Sequence, residues 1–453
     1  MSFSPDHLLN TLSKFSLPTG YLIGFSGGMD SHVLLYAMVV LGERLPAPLR
    51  AIHVDHGLQS QSTTWAGHCQ SVCRKLNIPL ETFSLQLKPI KGESLEAVAR
   101  EARYGVLARE IRPGEMLLTA HHQDDQAETL LLQLLRGAGL SGLAAMPELT
   151  RFDKGIHARP LLDSTRDELT RYATDVGLHW IEDASNQNIE FDRNYLRHQV
   201  VPLLKARWPA MSRTLSRSAG HCAEADRLIE ALLSRELEQI HDPADGTLCV
   251  SLLNALPAGQ LAALLRLWIG RSGYALPGSA ILERIITEVL GSRLDGNPLV
   301  SWRGAEIRRY RDRLYLMSPL PSFDPCHSLV WRGESELSLP AGLGTLRFQD
   351  NQGVAGVSPE PGRYRIRFRQ GGETCRPLGR GINKKIKHLL QEAGVLPWMR
   401  ERVPLLEVDG EIAEIIGVCR CEPDGQAPIF RHLKITWNCP LPWRRQPPVK
   451  KPD

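Results

Sequence analysis

Between residues 21 and 183, short apolar runs alternate with longer stretches in which apolar side chains recur every three or four positions. The runs at 21–25, 49–54, 80–85, 116–120 and 158–162 have the length and β-favouring character of buried strands, and the periodic stretches starting at Ser31, Thr63, Leu95, Gln126 and Thr165 read as amphipathic helices. This alternation predicts an α/β domain over 1–204, a doubly wound parallel sheet with helices on both faces. In such sheets ligands sit beyond the carboxyl ends of the strands, so the residues just after each strand are the ones to inspect. Residues 1–15 pattern as a short amphipathic helix and lack the basic and apolar regions of a secretory signal.

The pattern then changes. From 205 to 317 Leu, Ala and Arg dominate with helical spacing, as at Leu261, Leu264, Leu265 and Trp268, which predicts a helical middle domain without a motif that carries chemistry. A proline-bearing stretch at 318–328 reads as a linker, with short strand-like pieces following to 350. A small α+β domain is expected over 351–442, and 443–453 reads as a disordered tail.

Within that last domain the run RYRIRFR alternates strictly. A strand there places Arg363, Arg365, Arg367 and Arg369 on one face and Tyr364, Ile366 and Phe368 on the other. Arg376 and Arg380 follow, then a helical stretch with Ile382, Ile386, Leu389 and Leu390 inward and Lys384, Lys385 and Lys387 mostly toward solvent. From 363 to 387 nine Arg or Lys residues face one acid, Glu373, a local net charge of +8. A short charge run is usually a solvated face, but four arginines on one strand face and three lysines on one helix are the footprint of a polyphosphate partner such as a nucleic acid.

Composition adds bounds. At 453 residues the chain exceeds one ordinary core, and 42% hydrophobic with 23% charged residues is the balance of a soluble globular protein. No stretch approaches the roughly 18 apolar residues of a membrane helix. The nine cysteines are scattered and unpaired in spacing, which fits a reducing cytoplasm. Cys69 and Cys73 fall on one apolar helix face and Cys419 and Cys421 alternate on a strand, so they read as packing residues rather than a metal or redox site. The net charge of +4 is only mildly basic and says little about partners.

The chemistry starts after the first strand, where YLIGF runs into SGGMDS. Glycines at a strand-to-helix turn let the backbone approach a ligand, and the first helical N–H groups lack partners within the helix, which suits a phosphate. Ser26 and Ser31 add hydroxyls. No Lys follows the glycines and the G-x-G-x-x-G spacing is absent, which excludes the two commonest phosphate loops. Asp30 beside bound phosphate makes sense as a Mg²⁺ ligand; the bland alternative is a plain turn with an acid at a helix N-terminus.

After the second strand comes His53-Val54-Asp55-His56-Gly57-Leu58, a nucleotide-lining turn in preference to a metal site, since no third ligand cluster has matching spacing. After the fourth comes the densest polar cluster of the chain, HHQDDQAET at 121–129. Asp125 and Glu128 there project the same way from the first helical turn. Dipole compensation accounts for one acid, but not for two histidines and three acids at the expected ligand edge.

The S-G-G-x-D-S turn resembles the PP-loop of the ATP pyrophosphatase superfamily, whose members cleave ATP between the α- and β-phosphates and adenylate a substrate oxygen. The resemblance narrows with IHVDHGL, AR-x-x-RY at 99–104, HHQDDQAETLLLQLLRGAGLSGL, RPLL at Arg159 and EDASNQNIEFDRNYLRHQVVPLL from Glu182. Together these blocks, in this order over 21–204, resemble the tRNA(Ile)-lysidine synthetase family, and 363–387 with QEAGVLPWMRERVPLL resembles the C-terminal domain with which the long-form members hold tRNA. The resemblance implies a cytoplasmic ligase with ATP, Mg²⁺, L-lysine and the isoleucine tRNA bearing a CAU anticodon as its reactants and partners. ATP adenylates the C2 carbonyl oxygen of the wobble cytidine, and the ε-amine of lysine then displaces AMP.

It implies ATP binding by Ser26, Gly27, Gly28, Met29, Asp30, Ser31, His53, Arg100 and Arg103, with the metal at Asp30. It implies lysine binding by Asp125, Glu128 and Arg193, with Asp30, Asp125 and Glu128 as the catalytic acids. Arg363, Arg365, Arg367, Arg369, Arg376, Arg380, Lys384, Lys385 and Lys387 are the residues expected on tRNA. Which acid or histidine takes the proton of the lysine amine, and how Arg100, Arg103 and Arg193 divide their roles, stay open. Rivals are a PP-loop tRNA thiolase, a small-molecule amide ligase and a nucleic-acid-binding protein that senses ATP. A thiolase asks for nucleophilic cysteines near the site, and the SGGMDS, HVDHGL and HHQDDQAE blocks hold none.

Overall fold

The computed structural model describes residues 3–55, 62–85, 95–182, 187–293, 296–350, 363–422 and 433–444. The chain divides into two compact units, Met1–Ile229 and Glu230–Asp453. No helix among the described residues is long and apolar enough to cross a membrane.

The first unit is built on strands β1 (Tyr21–Gly24), β2 (Leu49–Asp55), β3 (Leu80–Ser84), β4 (Met116–Leu118), β5 (Leu149–Phe152) and β6 (Gly155–Ala158) in the order β3-β2-β1-β4-β6-β5. All neighbours are parallel except the β5–β6 hairpin. Its helices are α1 (Pro5–Leu12), α2 (Met29–Leu41), α3 (Ser62–Lys75), α4 (Leu95–Glu110), α5 (Gln123–Leu135), α6 (Leu140–Leu143), α7 (Arg166–Asp175), α8 (Asp192–Tyr195) and α9 (Val201–Arg207), and α10 (Met211–Ile240) runs across the division between the units. Strand alternation sorts the core. Tyr21 and Ile23 face a cluster with Leu34, Leu35 and Met38 of α2, Cys69 and Cys73 of α3 and Leu169 of α7, whereas Leu22 and Ile52 face Val106, Leu107 and Ile111 on the α4 side. Both faces are therefore buried, as a parallel sheet requires.

The strand expected over 158–162 lies earlier in the chain. Ala158 closes β6, and the hairpin turns at Asp153, whose φ is +45°. Gly155 is what lets β6 approach: a Cβ there would stand 2.3 Å from the carbonyl oxygen of Glu115, so a larger residue would push the strand off β4.

In the second unit α10, α11 (Val250–Asn254), α12 (Ala258–Arg271) and α13 (Ser279–Arg284) share a core with the antiparallel sheet β7-β10-β9-β8, made of β7 (Leu248–Cys249), β8 (Leu299–Trp302), β9 (Ala305–Tyr310) and β10 (Arg313–Met317). The helices follow the spacing of Leu261, Leu264, Leu265 and Trp268, all buried. The small sheet was not expected, because its strands are short and joined by tight turns at Gly304 and Arg311 rather than flanked by long polar loops.

Past the expected linker at 318–328, short strands follow to 350. Strands β11 (Ser328–Val330), β12 (Glu336–Ser338) and β13 (Thr345–Asp350) join sheets with β14 (Tyr364–Phe368), β15 (Thr374–Cys375), β16 (Lys384–Lys385), β17 (Pro404–Val408), β18 (Glu411–Ile415), β19 (Cys419–Arg420) and β20 (Leu433–Asn438). The orders are β11-β14-β17-β18-β19, β12-β13-β20 and β15-β16, and Trp331, Leu343 and Leu346 are buried in the same core as Tyr364, Ile366 and Phe368.

Candidate active site

The strand order reverses between β1 and β4, so their carboxyl ends open a crevice at the topological switch point. Ser26, Gly27 and Gly28 form one wall. Gly27 has a φ of +83°, and a Cβ on it would lie 2.9 Å from Cys69 Sγ, so conformation and packing both demand glycine. Gly28 caps α2 without a side-chain bond, leaving the first N–H groups of that helix to a ligand. Ser26 Oγ and Ser31 Oγ are 3.0 Å apart, and the Gly28 N–H donates to Ser26 Oγ at 3.3 Å, which stiffens the turn. Met29 is buried beneath it.

Asp30 stands on the first turn of α2. Its Oδ1 is buried without a hydrogen-bond partner, and burial, ahead of neighbouring Asp125, raises its carboxyl above the usual range against the pull of His122, Arg166 and Arg197. Among the described residues no cluster of three or more His, Cys, Asp or Glu side chains is disposed to hold a metal. Asp30 thus offers one carboxylate oxygen, which suits a cation whose other ligands are substrate oxygens and water.

His53 is 4% exposed and its Nδ1–H donates to the Phe25 carbonyl at 2.9 Å. It thereby ties β2 to the strand end that leads into the phosphate turn. His56, Gly57 and Leu58 of the same motif, and residues 183–186 of the EDASNQ block, lie outside the described residues.

The opposite wall is the start of α5. His122 caps it: the Asp125 N–H donates to His122 Nδ1 at 3.4 Å and the His122 N–H to Asp125 Oδ2 at 3.0 Å, a reciprocal capping box. His122 Nε2 lies 3.8 Å from Asp30 Oδ2, which links the two walls. Asp125 and Glu128 do project together, but they are not vacant. Arg193 donates to Asp125 Oδ1 at 2.8 Å and to Glu128 Oε2 at 2.9 Å; Arg197 donates to Asp125 Oδ1 at 2.9 Å, Glu128 Oε1 at 2.7 Å and Glu128 Oε2 at 2.8 Å. Burial would raise Asp125, but His122, Arg193, His121 and Arg197 outweigh it and hold the carboxyl well below its usual range. Two acids and two guanidiniums therefore form one buried, balanced network.

Arg197 was missed in the sequence. The signal was available: it lies four residues after Arg193, one helical turn on, within a π turn at Leu196–Val200 that continues α8. Arg100 and Arg103 both lie over the Tyr104 ring, at 5.3 and 5.5 Å. Burial, with Arg100 and Arg193 nearby, lowers the Arg103 guanidinium from its ordinary value despite Tyr104, so this wall holds excess positive charge. Asp124, the third acid of the cluster, is structural. It accepts from Lys205 Nζ at 2.5 Å, Ser212 Oγ at 2.9 Å and the Arg166 N–H at 2.9 Å, tying α5 to α7, α9 and α10.

In the second unit β14 forms as patterned, with Tyr364, Ile366 and Phe368 buried. Its arginines are not a free stripe. Pairing of β14 with β17 brings up acids far away in sequence, so that Arg367 donates to Glu407 at 2.5 Å and Arg363 to Asp409 at 2.9 Å, while the neighbouring Glu373 accepts from Arg367 at 2.8 Å and lies 4.0 Å from Arg369. Arg380 and Lys384 share Glu392, at 3.1 and 3.0 Å. Lys384 and Lys385 lie on β16 rather than on a helix, α14 (Ile386–Glu392) carries only Lys387, and Ile382 is exposed rather than inward. Arg376 is half-buried, while Arg365, Lys385 and Lys387 are exposed and have no ion pair among the described residues.

A Gly-rich turn feeding a helix N-terminus, at the switch point of a parallel sheet and facing a charged helix start, defines a nucleotide-binding α/β domain of the PP-loop class, and residues 6–204 match the family model for the PP-loop domain. Residues 248–315 match the TilS substrate binding domain and 364–436 the TilS substrate C-terminal domain. The tRNA(Ile)-lysidine synthase of Coxiella burnetii is 41% identical over 426 residues, 93% of each chain, and that of Methylococcus capsulatus is 43% identical over 404 residues, 88% of this chain and 91% of the relative. Among solved structures, the U34-tRNA thiolase NcsA of Methanococcus maripaludis is similar with 19% identity and a TM-score of 0.43 over 49% of this chain and 77% of its own. The chain belongs to the tRNA(Ile)-lysidine synthase family.

Proposed function

We propose that the protein joins free L-lysine to C2 of the wobble cytidine of the CAU-anticodon isoleucine tRNA, using ATP, in the cytoplasm. Membership of the lysidine synthase family along nearly the whole chain carries this reading. In the first step the C2 oxygen of the cytidine attacks the α-phosphorus and pyrophosphate leaves. In the second the lysine ε-amine, having lost a proton, attacks C2, the C2–O bond breaks and AMP departs with the oxygen.

Ser26, Gly27, Gly28 and Ser31, with the N–H groups that open α2, receive the pyrophosphate part of ATP, where preorganised donors stabilise the charge of a leaving group. A divalent cation, Mg²⁺, fits the unpartnered Oδ1 of Asp30 and supplies further positive charge beside the phosphates when bound. Arg100 and Arg103 attract the triphosphate. Arg193, which Asp125 and Glu128 hold, receives the lysine carboxylate. Asp125 and Glu128 take the lysine ammonium on the acceptor sites their oxygens have left, since each carboxylate oxygen carries two. The exposed Arg365, Lys385 and Lys387, with Arg376, position tRNA phosphates without entering the chemistry.

The thiolase alternative loses further ground. Cys69 is the cysteine that underlies the phosphate turn, and burial, with Cys73 beside it, pushes its thiol up to about 12, so it stays protonated and inert. The deciding experiment incubates the protein with ATP, labelled lysine and mixed tRNA. Label should enter one isoleucine tRNA species with AMP and pyrophosphate formed in equal amounts; pyrophosphate release without label in tRNA would overturn the reading.

A further inference from the structure

His121 follows β4 by three residues, and its Nδ1 lies 2.8 Å from Thr119 Oγ1. The same hydroxyl is 2.8 Å from His157 Nε2, and His157 Nδ1 is 3.2 Å from a terminal nitrogen of Arg159. These four side chains come from adjacent strand ends, because β4 and β6 pair in parallel with Leu117 opposite His157. Arg159 is itself anchored, donating to the Pro147 carbonyl at 2.7 Å, and the His157 ring is braced by Tyr104 and Phe152, each with its ring centroid 5.8 Å away.

The direction of the chain follows from what each group can do. A guanidinium only donates, so His157 Nδ1 accepts and the ring carries its proton on Nε2. That N–H donates to Thr119 Oγ1. The hydroxyl oxygen can accept twice, but His157 and His121 are its only partners among the described residues, so its own proton finds an acceptor only by donating to His121 Nδ1. His121 Nδ1 is an acceptor in consequence, and its proton sits on Nε2, an atom with no hydrogen-bond partner among the described residues. Reversing the chain would require Arg159 to accept. Protonation of either ring would likewise break it, and both are held neutral: burial, with Arg159, Arg100 and Arg103, takes His157 down to about 3, and burial, with Arg159, Arg193 and Arg100, keeps His121 well below its ordinary value against the opposing charge of Asp125.

We propose that Arg159, His157 and Thr119 are positioning residues that act through a one-way hydrogen-bond chain, fixing His121 as an Nε2–H donor toward substrate oxygen in the crevice. The inference rests on the reading of that crevice as the adenylating site. It removes His121 from the candidates for the base that deprotonates the lysine amine and gives it the opposite role, that of stabilising negative charge on an oxygen as the first step proceeds.

The test combines nitrogen NMR of ¹⁵N-histidine-labelled full-length protein, with His121 assigned by loss of its signals in His121→Gln, and kinetics of pyrophosphate release for Thr119→Val and Thr119→Ser. The wild-type His121 should show a bare Nδ1 and a protonated Nε2 throughout about pH 6 to 8, where an unperturbed histidine titrates. Thr119→Val should release the tautomer preference and lower kcat for pyrophosphate release about ten-fold, the lower end of what losing an orienting partner costs, with the KM for ATP and tRNA little changed. Thr119→Ser should restore both signals. A protonated Nδ1 or an imidazolium in the wild type, or an unchanged tautomer in Thr119→Val, would overturn the chain. A released tautomer with unimpaired kcat would overturn its positioning role. Failure of the wild type to release pyrophosphate would instead sink the adenylation reading and leave the NMR result standing.

Discussion

Glu128 and Arg197, sixty-nine residues apart in the chain, are joined by Nε–H donation to Oε1 at 2.7 Å and by a terminal nitrogen to Oε2 at 2.8 Å. The carboxylate is 3% exposed, so its charge is tolerated only because Arg197 and Arg193 surround it. One bond pair thus fastens the segment after β6 against α5 and fixes the charge balance of the crevice.

Removing one partner leaves the other buried and uncompensated. Arg197→Ala should destabilise the protein by about 3 kcal/mol or somewhat more. The pH dependence follows the depressed carboxyls of Asp124 and Asp125: their contribution to stability is fully present above the ordinary Asp value of about 4 and is lost as pH falls through their lower folded values. Denaturant titrations between pH 7 and about pH 3 check both the deficit and its sign.

Asp125→Asn and Glu128→Gln should weaken lysine incorporation more than pyrophosphate release, because the first step needs no lysine ammonium. Single-turnover measurements of the two steps separate them. Equal losses would show that the acids serve only to hold Arg193 and Arg197.

Asp30 carries a different expectation, since its carboxyl is raised by burial and the charged form costs stability above the ordinary Asp value. Asp30→Asn should therefore keep or raise Tm at pH 7 while pyrophosphate release falls about a hundred-fold or more. Wild-type turnover at limiting Mg²⁺ would reduce Asp30 to a helix-terminal acid.

On the basic face the ion pairs divide the arginines into two kinds. Neutralising Arg365, Lys385 and Lys387 together should raise the KM for tRNA, leave kcat near wild type and flatten the log–log salt dependence by about two to three. Arg367→Ala should act on stability instead, because it strands Glu407 and takes from Glu373 its nearest cation. An unchanged salt slope in the triple variant would mean a solvated face.

Glu414 gives the second unit a pH dependence of opposite sign. Burial raises its carboxyl to about 7, against the pull of Arg420, whose Nε is 3.6 Å from Oε2. Stability from this group is present below the ordinary Glu value and declines, by about 3 kcal/mol in all, as pH rises from there to about 7. Glu414→Gln should abolish that decline and be more stable than wild type at pH 8, which thermal unfolding across the range would show.

What the sequence determined by itself was whatever local periodicity and local chemistry encode. The strand starts at Tyr21, Leu49, Leu80 and Met116, the phosphate turn at Gly27 and Gly28, the buried pair Cys69 and Cys73, and the inward face of Tyr364, Ile366 and Phe368 all follow from spacing within a few residues. The tertiary structure alone decided which charges meet. Strand pairing set Asp409 and Glu407 against arginines that look free along the chain, chain return set Arg193 and Arg197 on Asp125 and Glu128, and parallel pairing of β4 with β6 put His157 beside Thr119. A hydrophobic period reports which way a side chain faces, whereas an ion pair or a hydrogen-bond chain depends on a partner tens of residues away, and only the closed sheet supplies that distance.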